Sequence, residues 1–289
     1  MKVARSPSEL ERKPRAVALG TFDGVHLGHR AVLDAALAAG PTPTVVTLDP
    51  HPRIVFGNRV ELITTLERRL ELIAEAGIEE TLVVQFDLER AQAEPEEFVE
   101  TVLGPIGAEI LVAGHNFRFG RRRRGNPELL ESLGFDMRVV PTVEGISSTT
   151  IRKLVAAGEV DAAARLLGRP HEVDGIVVAG DARGGTLGFP TANISVDPQL
   201  LVPGYGIYAG AASDGHRAAI SIGTNPHYGG QERRIESFLL DFEGDLYGRR
   251  LRLEVWKRLR DERVFESEAA LIEQIARDVE ETSGAERPV

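Results

Sequence analysis

The hydrophobic pattern changes period near residue 168, and that change constrains the fold more than any other feature of the chain. Before it, apolar runs at 16–19, 45–48, 82–86, 110–113 and 137–140 alternate with helix-like segments. The helices carry their own punctuation. Thr64 and Glu67 have capping-box spacing ahead of "RRLELIAEAG". Pro95 stands at a first helical position, and Asn126, Pro127 and Gly134 bracket "NPELLESLG". Such alternation builds an α/β unit with a doubly wound, mostly parallel sheet, whose ligands sit beyond the carboxyl ends of its strands. After "LLGRPH" (166–171) the pattern becomes short strands such as "EVDGIVVAG", "GIYAGAA", "HRAAISIG", "RIESFLLDF" and "RLRLEVW", parted by turn signals. This predicts an antiparallel barrel or sandwich. A helix over 267–281 closes the chain, with Leu271, Ile272, Ile275, Ala276 and Val279 as its apolar stripe.

Two domains agree with 289 residues, at roughly 150 residues each. The absence of cysteine removes disulfides, thiolate nucleophiles and cysteine zinc sites together. No run of about 18 apolar residues exists, and the first residues lack the apolar core of a signal peptide, so the expected compartment is the cytoplasm and no membrane is involved. A net charge of −10 disfavours nucleic acid. Anionic ligands would then need local devices: backbone amides, helix ends, a metal ion or a few placed cations.

"GTFDGVHLGH" (20–29) takes the chain from a strand through a glycine-containing turn to a helix start, a place suited to phosphate. Gly28 admits a ligand close to the backbone. His26 and His29, three apart, face the same way on a helix. Two imidazoles aimed at a phosphate stabilise charge that builds on an α-phosphate and a leaving pyrophosphate. Spacing alone leaves open that both are surface or capping residues. A metal reading lacks a third ligand and the H-E-x-x-H pattern. Further on, Ser147, Ser148 and Thr149 gather hydroxyls and free amides at a helix's positive end, with Arg152 one turn in; an ordinary N-cap looks the same. "RRRR" (121–124) reads as a mobile, solvated loop.

In the second half, "GDARGGTLGFPTANI" (180–194) places four glycines within nine residues, a nest for phosphate, without the G-K-[ST] of a Walker loop. In an extended segment Thr191 and Asn193 point the same way. Their neutral oxygens suit a magnesium ion that also holds ATP phosphates; a cluster of β-turns is the alternative. In "RIESFLLDF" the alternation puts Glu236 on one face with Phe238 and Leu240. A carboxylate on such a face is costly without a partner or a task. Desolvation would raise its pKa towards that of a general base. A salt bridge to Arg233 or Arg234 is the alternative.

Taken in order, these segments resemble the bacterial bifunctional riboflavin kinase/FMN adenylyltransferases, or FAD synthetases. "GTFDGVHLGH" is similar to the H-x-G-H signature of nucleotidylyltransferases. "DPHP" (49–52) resembles the family's H-P loop, "GHNFRFG" (114–120) its N-F-R-F-G or D-F-R-F-G segment, and "ISSTTIR" (146–152) its I-S-S-T-x-I-R motif. "GTLGFPTAN" (185–193) resembles the G-x-L-G-F-P-T-A-N signature of riboflavin kinases. "PGYGIYAG" (203–210), "IGTNPHYGG" (222–230), "RIESFLLDFEGDLYG" (234–248) and "LRDERVF" (259–265) follow it. The resemblance runs from about 15 to 282. It departs at Gly185, where family members often carry a basic residue, with Arg183 as the available substitute.

The resemblance implies a Rossmann-like nucleotidylyltransferase domain at 1–168 and a β-barrel riboflavin kinase domain with a closing helix at 169–289. It implies phosphorylation of riboflavin by ATP to FMN, then adenylylation of FMN by a second ATP to FAD and pyrophosphate, with Mg2+. It assigns catalysis to Glu236, His26 and His29. It assigns ATP contacts to Gly20, Phe22, Gly28, Asn116, Ser147, Ser148, Thr149 and Arg152, and in the second domain to Gly180, Gly188, Pro190, Thr191 and Asn193. Flavin contacts fall to Asn225 and Arg260, and the metal to Thr191 and Asn193. The implied partners are riboflavin, FMN and ATP. Two rivals stand beside this reading: an adenylyltransferase whose barrel only binds flavin, and a flavin-responsive binding module without catalysis.

Overall fold

Each of the five apolar runs of the first half forms a strand: β2 (Arg15–Leu19), β3 (Thr42–Asp49), β4 (Glu80–Gln85), β5 (Ala108–Gly114) and β6 (Asp136–Val140). A three-residue strand that the pattern does not reveal, β1 (Lys2–Ala4), joins them at an edge. This computed structural model describes residues 1–180, 188–224 and 233–289. The strand order is β1-β4-β3-β2-β5-β6, with every pairing parallel. The chain runs outward from β2 on one side and returns to the other side at β5. The crevice beyond the carboxyl ends of β2 and β5 is therefore the topological switch point, where such sheets bind ligands.

Alternate residues of each strand enter opposite cores. Val17, Leu19, Val46, Leu82 and Leu111 pack with Leu103, Ile106 and Leu130. Ala18, Val45 and Val112 pack with Leu33, Ala36 and Ile73. The covering segments are α1 (Leu27–Leu37), α2 (Pro52–Val55), α3 (Leu66–Glu75), α4 (Pro95–Phe98) continued by a π-turn and α5 (Gly104–Ile106), and α6 (Pro127–Ser132). The caps expected for α6 are present: Asn126 accepts from the Leu129 N–H at 2.9 Å, and Gly134 turns left-handed beyond its end. The arginine run is not a loose loop. It forms a 3-10 turn over Arg121–Arg123, and Glu94 takes both Arg121 (3.2 Å) and Arg124 (3.1 Å).

The second half closes as a barrel rather than a sandwich, in the order β10-β11-β8-β7-β12-β9, all antiparallel. Its strands are β7 (His171–Val178), β8 (Thr191–Val196), β9 (Gly206–Ala212), β10 (Arg217–Thr224), β11 (Arg233–Leu239) and β12 (Arg250–Arg260). Val173, Val177, Ile194, Tyr208, Ile220, Ile235, Leu253 and Val255 fill it.

The chain packs as two compact units whose borders are not a single cut. Unit one takes Met1–Val60 and Leu66–Ser147; unit two takes Glu61–Thr65 and Ser148–Val289. The reason lies in α7 (Ser148–Ala157) and α8 (Val160–Leu167). Val160 belongs to the barrel's core. Ile151, Val155, Ala163 and Leu167 share a cluster with Ile63 and Leu201. Leu62 pairs with Leu200: its N–H donates to Gln199, and Leu201 donates back to its carbonyl.

The closing helix, α9 (Glu268–Gly284), forms as expected and starts at a Ser267 cap, but its buried face differs. The predicted apolar stripe is half-buried, with Ala276 exposed, while Asp278 and Thr282 are buried. Asp278 holds Arg260 through both carboxylate oxygens, at 2.7–3.2 Å, and accepts from Gln274. The helix thus docks through an ion pair as well as through its half-buried apolar stripe.

Candidate active sites

At the end of β2, beside the switch point, the backbone turns left-handed at Phe22 (φ +51°), Gly24 (+83°) and Val25 (+38°). Glycine accepts this readily; a β-branched valine there is a strained outlier. Such strain persists only where the surroundings over-determine it. Phe22 is 1% exposed and its ring lies 3.1 Å from where a Gly20 side chain would begin. Asp23 and Val25 are buried as well, and Val25 donates to the Phe22 carbonyl at 3.0 Å. Glycine at 20 is thus demanded by the Phe22 ring. Phe22 itself is a core anchor, with only its backbone left to meet a ligand.

The turn delivers His26 to the N-cap of α1, where its Nδ1 accepts from the His29 N–H at 3.2 Å. A neutral imidazole that accepts at Nδ1 carries its hydrogen on Nε2. The cap therefore fixes the tautomer, with the hydrogen on Nε2. The His29 ring stacks on His26, 3.6 Å away and 14° from parallel. A side chain on Gly28 would begin 3.3 Å from the His26 ring, so glycine keeps that ring in place. The result is a positive helix end carrying two aligned imidazoles, which is chemistry for a phosphate.

The same device recurs one strand away. His51, 8% exposed, caps α2 and accepts from the Arg53 N–H at 3.2 Å. Asn116 is exposed in the turn after β5. Ser147 ends the first unit, while Ser148, exposed Thr149 and Arg152 lie in α7 of the second. Arg152 donates to the Glu61 carbonyl at 2.7 Å. One residue of the first unit gave no sequence signal. Arg69 stands in a charge-rich amphipathic helix, yet it is fully buried and donates to the carbonyls of Thr21 (3.1 Å) and Leu48 (3.3 Å). Burial lowers its pKa, against the opposing pull of Asp23, Asp49 and Glu67.

In the barrel, three residues singled out separately come together. Strand pairing sets Glu236 opposite Asn193 and Phe238 opposite Thr191. The Thr191 hydroxyl donates to Glu236 Oε2 at 3.4 Å. Ile235, Ser237 and Leu239 are the buried set of β11, so Glu236 and Phe238 lie on its other face and are half-buried. The face expected to desolvate the carboxylate is therefore not the core face. Its apolar character comes from Phe238, against which Phe189 stands edge-on at 5.4 Å. The Asn193 amide occupies the space a side chain on Gly180 would need, which explains that glycine by close approach. Gly188 is glycine for another reason, a left-handed φ of +85°. Pro190 is exposed beside it. Arg183, Gly185 and Asn225 lie outside the described residues.

Arg233 pairs with Glu61 at 3.9 Å. Arg260 gives its Nε and Nη2 to Asp278 of α9 and its Nη1 to the carbonyl of the adjacent Asp261. Among the described residues no three histidines, aspartates or glutamates gather into a metal site. Thr191, Asn193 and Glu236 nevertheless present hard oxygens within one cluster. That set fits Mg2+, which keeps several waters and shares its remaining positions with substrate phosphates.

Two family models match the chain: one described as FAD synthetase over residues 8–152, the other as riboflavin kinase over 167–285. Curated relatives named bifunctional riboflavin kinase/FMN adenylyltransferase include that of Bacillus subtilis, 36% identical, with 94% of this chain and 92% of the relative covered. The Escherichia coli K12 protein is 36% identical with 96% of each covered. The Listeria monocytogenes protein is 35% identical, with 93% and 91% covered. A solved structure from Streptococcus pneumoniae, described as a macrolide-efflux protein, matches with a TM-score of 0.89 at 30% identity, covering 98% of this chain and 99% of that one. Among the described residues no helix is long and apolar enough to cross a membrane.

Proposed function

The chain belongs to the bifunctional riboflavin kinase/FMN adenylyltransferase family, and from that premise we propose how its residues carry the two steps. The protein phosphorylates riboflavin with ATP to FMN, then adenylylates FMN with ATP to FAD and pyrophosphate. The activities divide at 168/169. The acidic chain works on these small molecules in the cytoplasm, not on nucleic acid.

In the kinase step Glu236 accepts the proton of the ribityl 5′-hydroxyl as its oxygen attacks the γ-phosphate of ATP, and ADP leaves. Thr191 holds the carboxylate in orientation through its hydroxyl. Thr191 and Asn193 would hold Mg2+, which supplies neutralisation of phosphate charge when bound. Gly180 and Gly188 shape the phosphate loop, Pro190 stiffens it, and Asn225 contacts the flavin.

In the second step an oxygen of the FMN phosphate attacks the α-phosphate of the second ATP, and pyrophosphate leaves. A phosphate dianion needs no general base. His26 and His29 therefore act on charge: the Nε2–H of His26 donates to the phosphates and His29 supports it from the stack. The backbone of Gly20, Phe22 and Gly28 approaches the nucleotide. Asn116, Ser147, Ser148, Thr149 and Arg152 serve as its further contacts.

The observation that carries this reading is the meeting of Thr191, Asn193 and Glu236 on adjacent strands. The test is incubation with riboflavin, ATP and Mg2+ and chromatographic separation of the flavins. FMN followed by FAD is expected. FAD formed only from supplied FMN would remove the kinase assignment, and no conversion would remove both.

A further inference from the structure

Arg69 is 0% exposed, and its Nε and Nη2 have no hydrogen-bond partner among the described residues. A buried guanidinium with unused donors is costly, and an apolar side chain of similar volume is often as stable or more so in such a place. Stability alone does not account for it. Its Nη1 meets two carbonyls, Thr21 just beyond β2 and Leu48 at the end of β3. These are the points where the chain leaves the sheet for the His26 turn and for the loop capped by His51. The Thr21 carbonyl also accepts from the Thr47 hydroxyl at 3.1 Å, so two donors hold the root of the strained turn.

We propose that Arg69 is a positioning residue for adenylyl transfer: at the carboxyl ends of β2 and β3 it fixes the spacing of the two histidine-bearing loops. The left-handed Phe22 and Val25 would relax without a clamp at Thr21, and relaxation would move His26 off its cap. Arg69 touches no reacting atom in this scheme. Its effect falls on the turnover of FAD formation, because a misplacement of about 1 Å at a reacting centre costs up to about a hundredfold in rate. This rests on the assignment of the 20–29 turn to AMP transfer.

The experiment uses the full chain with Arg69→Met, Arg69→Lys and, as a reference, His26→Ala. Melting temperature and riboflavin phosphorylation report folding on the same samples. With Arg69→Met, kcat for FAD formation should fall about tenfold to a hundredfold. KM for ATP should change less, and kinase turnover should stay at the parental level. Arg69→Lys should recover part of the rate, since an ammonium keeps the charge and can donate to the same carbonyls but lacks the fixed orientation of a planar guanidinium. Unchanged FAD formation in Arg69→Met overturns the proposal if His26→Ala is impaired. If His26→Ala is also unimpaired, the assignment of the turn itself fails. Should Arg69→Met not fold, Thr47→Val decides. A lowered kcat for FAD formation with intact kinase supports the clamp, and parental kcat overturns it.

Discussion

At the end of β2 the chain uses left-handed backbone, a buried arginine and a capped helix to present two imidazoles. On β8 and β11 it presents a hydroxyl, an amide and a carboxylate from regular paired strands. In the proposed scheme both places handle ATP phosphates, yet they are built by opposite means. In the first, the groups that act are also the groups that hold the turn, since His26 is both donor and helix cap. In the second, register supplies the geometry and the acting side chains project from a frame that stands without them. Function and stability should therefore be coupled in the first region and separable in the second.

The largest expected effect tests the separable case. Glu236→Gln should lower kinase turnover by about 10²–10⁴-fold, as loss of a general base does, with an unchanged melting temperature and intact FAD formation from supplied FMN. A lowered melting temperature with normal turnover would make Glu236 a structural residue and erase the contrast. His26→Ala tests the coupled case. FAD formation should slow by about 10²–10³-fold, and the lost cap should cost about 1 kcal/mol of stability, visible in a denaturant titration. Full stability in that variant would break the coupling.

A third test concerns the frame of the second region. A fragment from Arg169 omits Val160, which sits in the barrel core, and uncovers Leu201. Apolar side chains stabilise by about 1.5–3 kcal/mol each when buried, so a fragment from Ser148 should unfold at clearly higher denaturant. Equal midpoints would show that α7 and α8 are dispensable to the barrel.

The smallest effect is electrostatic and belongs to the first unit. Burial pushes the Glu80 pKa up, but the hydrogen bonds and charges of Arg15 and Lys13 outweigh it and hold the carboxyl below its ordinary range. The stability this lends is complete above the unfolded carboxylate value. It is lost as pH falls through the lowered folded one. Glu80→Gln should flatten that part of the acid unfolding curve, and an unaltered curve would assign the acid sensitivity elsewhere.

Much of this architecture could be read in advance, for a physical reason. The strands of a doubly covered parallel sheet are apolar throughout, so 16–19, 45–48 and 110–113 stand out in any hydropathy reading. The three residues of β1 lie at an edge and carry too short a pattern. The face of α9 misleads because Asp278 reads as a surface charge until Arg260, eighteen residues earlier, is placed beside it. Glu236, Thr191 and Asn193 were legible as motif residues, but their meeting depends on the register of two strands more than forty residues apart. Arg69 was invisible for the complementary reason. Two adjacent arginines in an amphipathic helix declare nothing about their different ends: Arg68 pairs with Glu71 and Glu75 of its own helix, while Arg69 reaches the Thr21 and Leu48 carbonyls.

The excursion of Glu61–Thr65 has a consequence for synthesis on the ribosome. Leu62 needs Gln199 to Leu201 for its backbone bonds, and Ile63, 1% exposed, needs Leu201 for cover. Those partners emerge roughly 140 residues later, a wait of about 7–28 s at ordinary elongation rates. In the last part of it, once β6 has been made, Leu62 and Ile63 trail uncovered from a sheet whose strands are all available to pair. Nascent chains should thus pass through a stage in which this stretch is open to a chaperone or a protease. A pulse of limited proteolysis on stalled chains should cut near residue 62 before Leu200 is made and spare it afterwards.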